Sequence, residues 1–464
     1  MVFSSTTFLF VFLPLFLAAY ALLPWRNGVA LAFSLLFYAW GEGVYLLLLL
    51  GTIAANHLFG VLIDSRSWRK LALGIGVAVN LTLLAYFKYF GFLVADVLQL
   101  PIPAEDIPHL PLGISFFIFQ SISYLVDVYR GDARRADSAF DLALYISMFP
   151  QLVAGPIVRY ASVSDAIRER EIHFDDVKSG IGLFIGGLCY KTLLANNVAE
   201  VADAAFAVPL DQLDVMTAWV GTIAYTLQIF FDFAGYSLMA IGIGRVMGFE
   251  FPQNFNYPYV SKSITEFWRR WHMSLSSWFR DYLYIPLGGN RKGTLRTYVN
   301  LFAVFFLCGL WHGASWTFVV WGMFHGLVLV AERAGVGRIL ARSPALLAHA
   351  YTLLLVMIGW VLFRAETFEQ AWRFLVVMFT GGDVPALPLA QLSTNENLFY
   401  ALLGFFLATP VLGRWLGRLG DLQSAGRWLG ARAAAMYSLA FVAFAFCAIY
   451  VMAGTYNPFI YFRF

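Results

Sequence analysis

Charge is scarce in this chain: Asp, Glu, Lys and Arg together make up 13% of its 464 residues, against about 25% in an ordinary soluble domain. A soluble protein keeps its surface wet with such groups, so the shortage argues against the three or so soluble domains that the length alone would allow. Excess charge of one sign is also missing. The net charge is +3, which gives no reason to expect nucleic acid as a partner. Cysteine is rare, with Cys189, Cys308 and Cys447 far apart in apolar stretches. No CxxC pair or zinc spacing exists, so neither a disulfide framework nor a metal site can be argued, and each cysteine reads as a small buried apolar residue. The N-terminal stretch MVFSSTTFLFVFLPLFLAAY lacks the basic start of a secretory signal and reads as a retained first membrane segment. What is abundant is apolar surface: 60% of residues are hydrophobic and 18% aromatic. Trp and Tyr collect where a ring can sit half in lipid and half in water.

A spanning helix needs roughly 20 mainly apolar residues. Candidates are 6–23, 28–40, 44–63, 71–98, 139–158, 180–207, 215–247, 298–312, 314–332, 346–363, 395–412 and 434–452. Several are short or carry polar groups. The expectation is an all-α polytopic membrane protein, one domain over 1–464, with about eleven membrane helices. Residues 111–126 (PLGISFFIFQSISYLV) and 149–156 (FPQLVAGP) combine apolar character with Pro and Gly, and are candidates for re-entrant segments. The loop at 64–70 carries Arg66, Arg69 and Lys70, whereas 99–110 carries Glu105 and Asp106 and no Lys or Arg. Basic loops stay in the cytoplasm, so the N-terminus is expected outside. No internal repeat is evident.

Residues 261–280 (SKSITEFWRRWHMSLSSWFR) read as one amphipathic interfacial helix. Trp268, Trp271, Leu275 and Trp278 recur at helical spacing. Ser263 with Glu266 fits a capping box, and Glu266 with Arg270 an i,i+4 ion pair. The basic loop PLGGNRKG follows.

Ionisable groups in a bilayer are expensive and mark functional candidates. His312, in FFLCGLWHGASWTFVVWG, leads them. An imidazole titrates near neutrality and can take a proton from a hydroxyl. Gly309, Gly313 and Ala314 give room for a close neighbour. The alternative is a neutral core histidine bonded to a carbonyl. His272, four residues after Trp268, is either a second catalytic or orienting group or an interfacial histidine. His325 follows His312 by thirteen residues. On one unbroken helix that puts it about 220° round and about 20 Å along, which suits a structural or gating residue. In 225–237, Gln228, Asp232 and Tyr236 lie near one helix face. An Asp there must meet a cavity or a cation, so this face lines a substrate tunnel or forms a hydrogen-bond clamp. Cys308 shares a face with His312, but a buried Cys is usually packing.

The run SITEFWRRWHMSLSSWFRDYLYIPLGGN followed by GLWHGASWTFVVWGMFHG resembles the membrane-bound O-acyltransferase (MBOAT) family. MVFSS, FKYFGF, LPLGISFFIFQSISYLVDVYRG, FPQLVAGPIVRY, QIFFDFAGYSLMAIGIG and the closing NPFIYFRF extend the likeness over nearly the whole chain. The resemblance implies a helical bundle around a central funnel, with re-entrant and interfacial helices. It implies a catalytic His312, a second important histidine at His272, and acetyl-CoA as cytoplasmic donor substrate with no resident cofactor or metal. It also implies a place in the bacterial inner membrane and a periplasmic partner of the SGNH hydrolase type. The acceptor stays open, since related proteins serve alginate, cellulose, peptidoglycan and other glycans. On that basis Arg269, Arg270, Arg291 and Lys292 are expected to pair with coenzyme A phosphates. His312 takes the acceptor proton near mid-membrane, His272 or an amide steadies the oxyanion, and Trp311, Gln228, Asp232 and Tyr236 line the substrate path. Rival readings are a secondary transporter, suited by broken segments and Asp232, and a non-catalytic scaffold of a polysaccharide-modification complex.

Overall fold

The computed structural model describes residues 2–65, 67–381, 384–412 and 429–454. Met1, Arg66 and the closing NPFIYFRF lie outside them. Regular structure among the described residues is entirely helical. A helix satisfies its backbone N–H and C=O groups internally, which lipid cannot do for it.

Among the described residues, six helices are long and apolar enough to cross a membrane: Tyr45–Asp64, Arg69–Tyr89, Val215–Val246, Thr294–His312, Trp316–Arg342 and Ala345–Arg364. Phe8–Leu22 and Tyr437–Ala453 are shorter apolar helices. Other expected segments are short or broken. The stretch 139–158 forms Ala139–Ser147, breaks at Met148, and resumes for the single turn Phe149–Leu152. The stretch 180–207 runs through Phe174–Cys189, a widened turn at Tyr190–Ala195 and Asn196–Phe206. Widened turns of this kind often mark functional places, and this one carries Lys191.

The chain divides into two compact units. One is Met1–Phe184 with Tyr236–Gln253. Here the 111–126 stretch, a candidate re-entrant segment, forms the unbroken helix Ile114–Arg130, buried on most sides. Gly113 at its start has φ 73°, and a Cβ there would lie 2.3 Å from the Leu152 carbonyl oxygen, so only glycine fits. The helix packs against Tyr45–Asp64 and Arg69–Leu84, which are stitched together by Asn56 and Asn80 exchanging amide hydrogen bonds at 3.2 and 2.8 Å. Phe149 meets Phe12 and Phe16 edge-on at 5.3 and 5.0 Å, so the break at Met148 buries an aromatic anchor.

The other unit is Ile185–Gly235 with the described residues from Asn254 onward. Its centre is a hairpin of Thr294–His312 and Trp316–Ala331. Gly309 and Gly322 let these helices touch. A Cβ at Gly309 would lie 2.4 Å from the Phe318 carbonyl oxygen, and one at Gly322 2.5 Å from that of Phe305. Small residues drive such contacts where lipid removes the hydrophobic incentive. Gly322→Val is expected to destabilise the fold by about 1–3 kcal/mol through overpacking. A lowered melting midpoint in detergent would register it, and an unchanged midpoint would refute so close a crossing.

Candidate active site

His312 is the last residue of the helix Thr294–His312. The following Gly313 is extended, with φ −167° and ψ 152°, and the chain turns back into Trp316–Ala331. The imidazole therefore sits at the end of a helix long enough to span, as the apolar segment 298–312 placed it. Aromatic rings lie around it, among them Trp311 at 5.0 Å, Trp321 at 5.1 Å and Phe363 at 5.1 Å between centroids. It is 5% exposed.

The turn after His312 also changes the place of His325. The continuous-helix geometry does not apply, and both imidazoles contact one ring, with Trp321 to His325 at 5.0 Å. His325 faces Gly359, where a Cβ would come within 2.7 Å of its Nε2. The indole nitrogen of Trp321 is buried with no hydrogen-bond partner among the described residues.

Residues 261–280 do not form one helix. Ile264–Arg270 and Met273–Phe279 are separate, joined through Trp271 and His272. His272 has φ 43° and ψ 55°, left-handed for a non-glycine residue. Such a conformation costs on the order of 1–3 kcal/mol and persists only where surroundings hold it. They do here. Met273 N–H donates to the Asn254 carbonyl at 2.9 Å, and Asn256 N–H to the Arg270 carbonyl at 2.9 Å. The local signals hold on either side of the break. Ser263 Oγ accepts from Glu266 N–H at 3.0 Å, and Arg270 pairs with Glu266 at 2.9 Å. The return bond of the expected capping box lands one residue early, since Glu266 accepts from Lys262 N–H at 3.0 Å. Trp268, Trp271, Leu275 and Trp278 are all buried within the protein.

The His272 ring stands edge-on to Phe233 at 4.6 Å and lies 6.2 Å from Trp311, so both candidate histidines neighbour the same indole. Burial pushes the His272 pKa down to about 3. Its Nδ1 meets Asn254 Oδ1 at 3.0 Å.

The other expected site residues are distributed. Asp232 pairs with Lys191 at 2.7 Å, each side chain 2% exposed; this is a cation partner for the buried carboxylate. Gln228 Oε1 is buried with no hydrogen-bond partner among the described residues. Tyr236 belongs to the first unit, where it stacks on Phe3 at 4.3 Å. Arg269 is exposed and lines a cavity of about 630 Å³ with Arg280 and Cys308. Arg270 is occupied by Glu266 and the Asn256 carbonyl, whereas Arg291 and Lys292 are exposed. Sequence reading missed Lys191, Asn254 and Trp321. A lysine inside an apolar run was a usable signal for the first. Nothing in periodicity marks the other two.

These features define a helical integral membrane protein whose buried polar chemistry gathers on histidines ringed by aromatics. Residues 10–363 match the family model of MBOAT, the membrane-bound O-acyltransferases, and the chain belongs to that family. It is 40% identical to the probable alginate O-acetylase of Azotobacter vinelandii over the whole of both chains. It is 46% identical to that of Pseudomonas aeruginosa over 88% of this chain and 81% of the relative. It is 36% identical to the peptidoglycan O-acetyltransferase of Helicobacter pylori over 86% of this chain and 83% of the relative. The chain is thus a multi-pass membrane O-acyltransferase.

Proposed function

We propose that this enzyme takes an acetyl group from cytoplasmic acetyl-CoA and passes it across the bacterial inner membrane, for O-acetylation of a periplasmic or extracellular polysaccharide of the alginate kind. The naming of its relatives supports the acetyl group and the glycan. The observation that carries the chemistry is the pair His272 and His312 beside Trp311.

In this reading His312 takes the proton of an acceptor hydroxyl as its oxygen attacks the thioester carbonyl. The tetrahedral intermediate collapses, the carbon–sulfur bond breaks, and the leaving thiolate receives that proton from the imidazolium. The unpartnered indole N–H of Trp321, on the ring next to His312, is a donor for the oxyanion. Arg269, Arg291 and Lys292 are exposed where coenzyme A phosphates could meet them, while Arg270 is already engaged by Glu266. Gln228 and Trp311 contact the substrate path, and the Asp232 and Tyr236 helix supports it. The acceptor hydroxyl belongs to the glycan or to a serine of an SGNH-type periplasmic partner.

The test supplies the purified protein in nanodiscs with acetyl-labelled acetyl-CoA. Label is expected to leave coenzyme A and to appear on an offered glycan or partner. Label that stays on coenzyme A with each of these acceptors present would end the proposal.

A further inference from the structure

The contact between Asn254 and His272 has a chemical direction. Asn254 Oδ1 receives the backbone N–H of Ser274 at 3.3 Å and the Ser274 hydroxyl at 2.8 Å. A backbone N–H can only donate, so the side-chain atom it meets is the amide oxygen. The same oxygen lies 3.0 Å from His272 Nδ1. An amide oxygen carries no hydrogen and can only accept, and the Ser274 hydroxyl, 3.5 Å from Nδ1 but 2.8 Å from that oxygen, gives its hydrogen to the oxygen, so the hydrogen between His272 and Asn254 sits on Nδ1. A neutral imidazole carries one N–H, which leaves Nε2 with a bare lone pair. Nε2 is buried and has no hydrogen-bond partner among the described residues.

Main-chain bonds keep the two residues in place. The Asn254 carbonyl accepts from Met273 N–H, directly after His272, and the left-handed backbone of His272 turns its ring toward Phe233 and Trp311. Burial that keeps the ring neutral also keeps the lone pair available.

We infer that Asn254 is a positioning residue for acyl transfer: it locks His272 in the Nδ1–H tautomer and so presents Nε2 as a hydrogen-bond acceptor for a substrate O–H group. This rests on the proposed acyl transfer for its functional half, while the tautomer itself is independent of it. It also divides the labour of the site. A neutral His272 with Nδ1–H bound to Asn254 has no N–H left for an oxyanion, so its task is to orient a substrate hydroxyl other than the one that gives its proton to His312, and oxyanion stabilisation falls to another donor.

The test has a spectroscopic and a kinetic arm. Solid-state NMR of the full chain with nitrogen-labelled histidine, its His272 signals assigned by comparison with His272→Gln, is expected to show a protonated Nδ1 and an unprotonated Nε2. Asn254→Leu keeps the volume and removes the acceptor. It is expected to mix the tautomers and to lower kcat by about 10- to 100-fold with KM within about twofold. Asn254→Asp keeps an acceptor oxygen and should retain the tautomer and at least about a third of kcat. A His272 protonated at Nε2 in the unaltered protein would overturn the inference. So would wild-type kcat in a folded Asn254→Leu, or an Asn254→Asp as impaired as Asn254→Leu. Should Asn254→Leu fail to fold, the spectra of the unaltered protein and of Asn254→Asp decide alone. An inactive unaltered protein would sink the acyl-transfer proposal yet leave the tautomer readable.

Discussion

His312→Ala is expected to remove acyl transfer while the protein still folds, with kcat falling about a hundred- to ten-thousand-fold. That corresponds to about 3–5 kcal/mol of barrier. The imidazole is the group able to take a hydroxyl proton at the end of Thr294–His312, and the rings of Trp311, Trp321 and Phe363 around it carry no base. Truncation also leaves a hole among those rings, which costs stability. His312→Gln fills more of that space without supplying a base, so a comparable loss in both variants, at melting midpoints close to the unaltered protein, isolates the chemistry. Transfer of labelled acetyl from acetyl-CoA is the measurement. Undiminished transfer in a folded His312→Ala would remove the histidine from the mechanism. Normal chemistry with failed association with a periplasmic partner would instead give His312 a part in assembly rather than in catalysis.

Breaking the Lys191–Asp232 pair is expected to destabilise the protein more than any surface change. Both side chains are 2% exposed and meet at 2.7 Å. Removing one partner leaves the other charge buried without its ion-pair partner, which costs about 3–5 kcal/mol. Replacing both with apolar residues of similar volume removes that penalty. Asp232→Ala and Lys191→Met are therefore expected to lower the melting midpoint sharply, and Lys191→Met with Asp232→Leu to recover most of the loss. The backbone nearby has no slack, since a Cβ at Gly235 would lie 2.7 Å from the Gly187 carbonyl oxygen. Thermal unfolding of the three variants in detergent decides between the two sequence-based readings of this face. Recovery in the double variant marks a structural clamp. Single variants of normal stability and reduced acyl transfer would mark a tunnel wall.

Local signals were legible wherever their cause was local. Ser263 caps its helix and Glu266 reaches Arg270 because both bonds span three or four residues of one helix. The apolar runs that became Tyr45–Asp64 and Ala345–Arg364 were legible for the same reason. The errors sit at breaks. Nothing in SITEFWRRWHMSLSSW announces a left-handed residue, because its cost at His272 is met by bonds from Asn254 and Asn256, well upstream in the chain. The separation of His325 from His312 applied only to one unbroken helix, and the chain reverses at Gly313 between them.

Composition and motif alone established a helical membrane protein and its acyltransferase family likeness, since burying that much apolar surface leaves a bilayer as the fitting solvent, and they singled out His312 as the foremost candidate among its polar groups. Which partner each buried polar group finds was settled by folding: Lys191 for Asp232, Asn254 for His272, and a cage of rings for His312. A hydrogen bond or an ion pair depends on distances of about 3 Å between atoms that the chain brings together from remote positions, and the spacing of residues along a sequence carries no record of such distances.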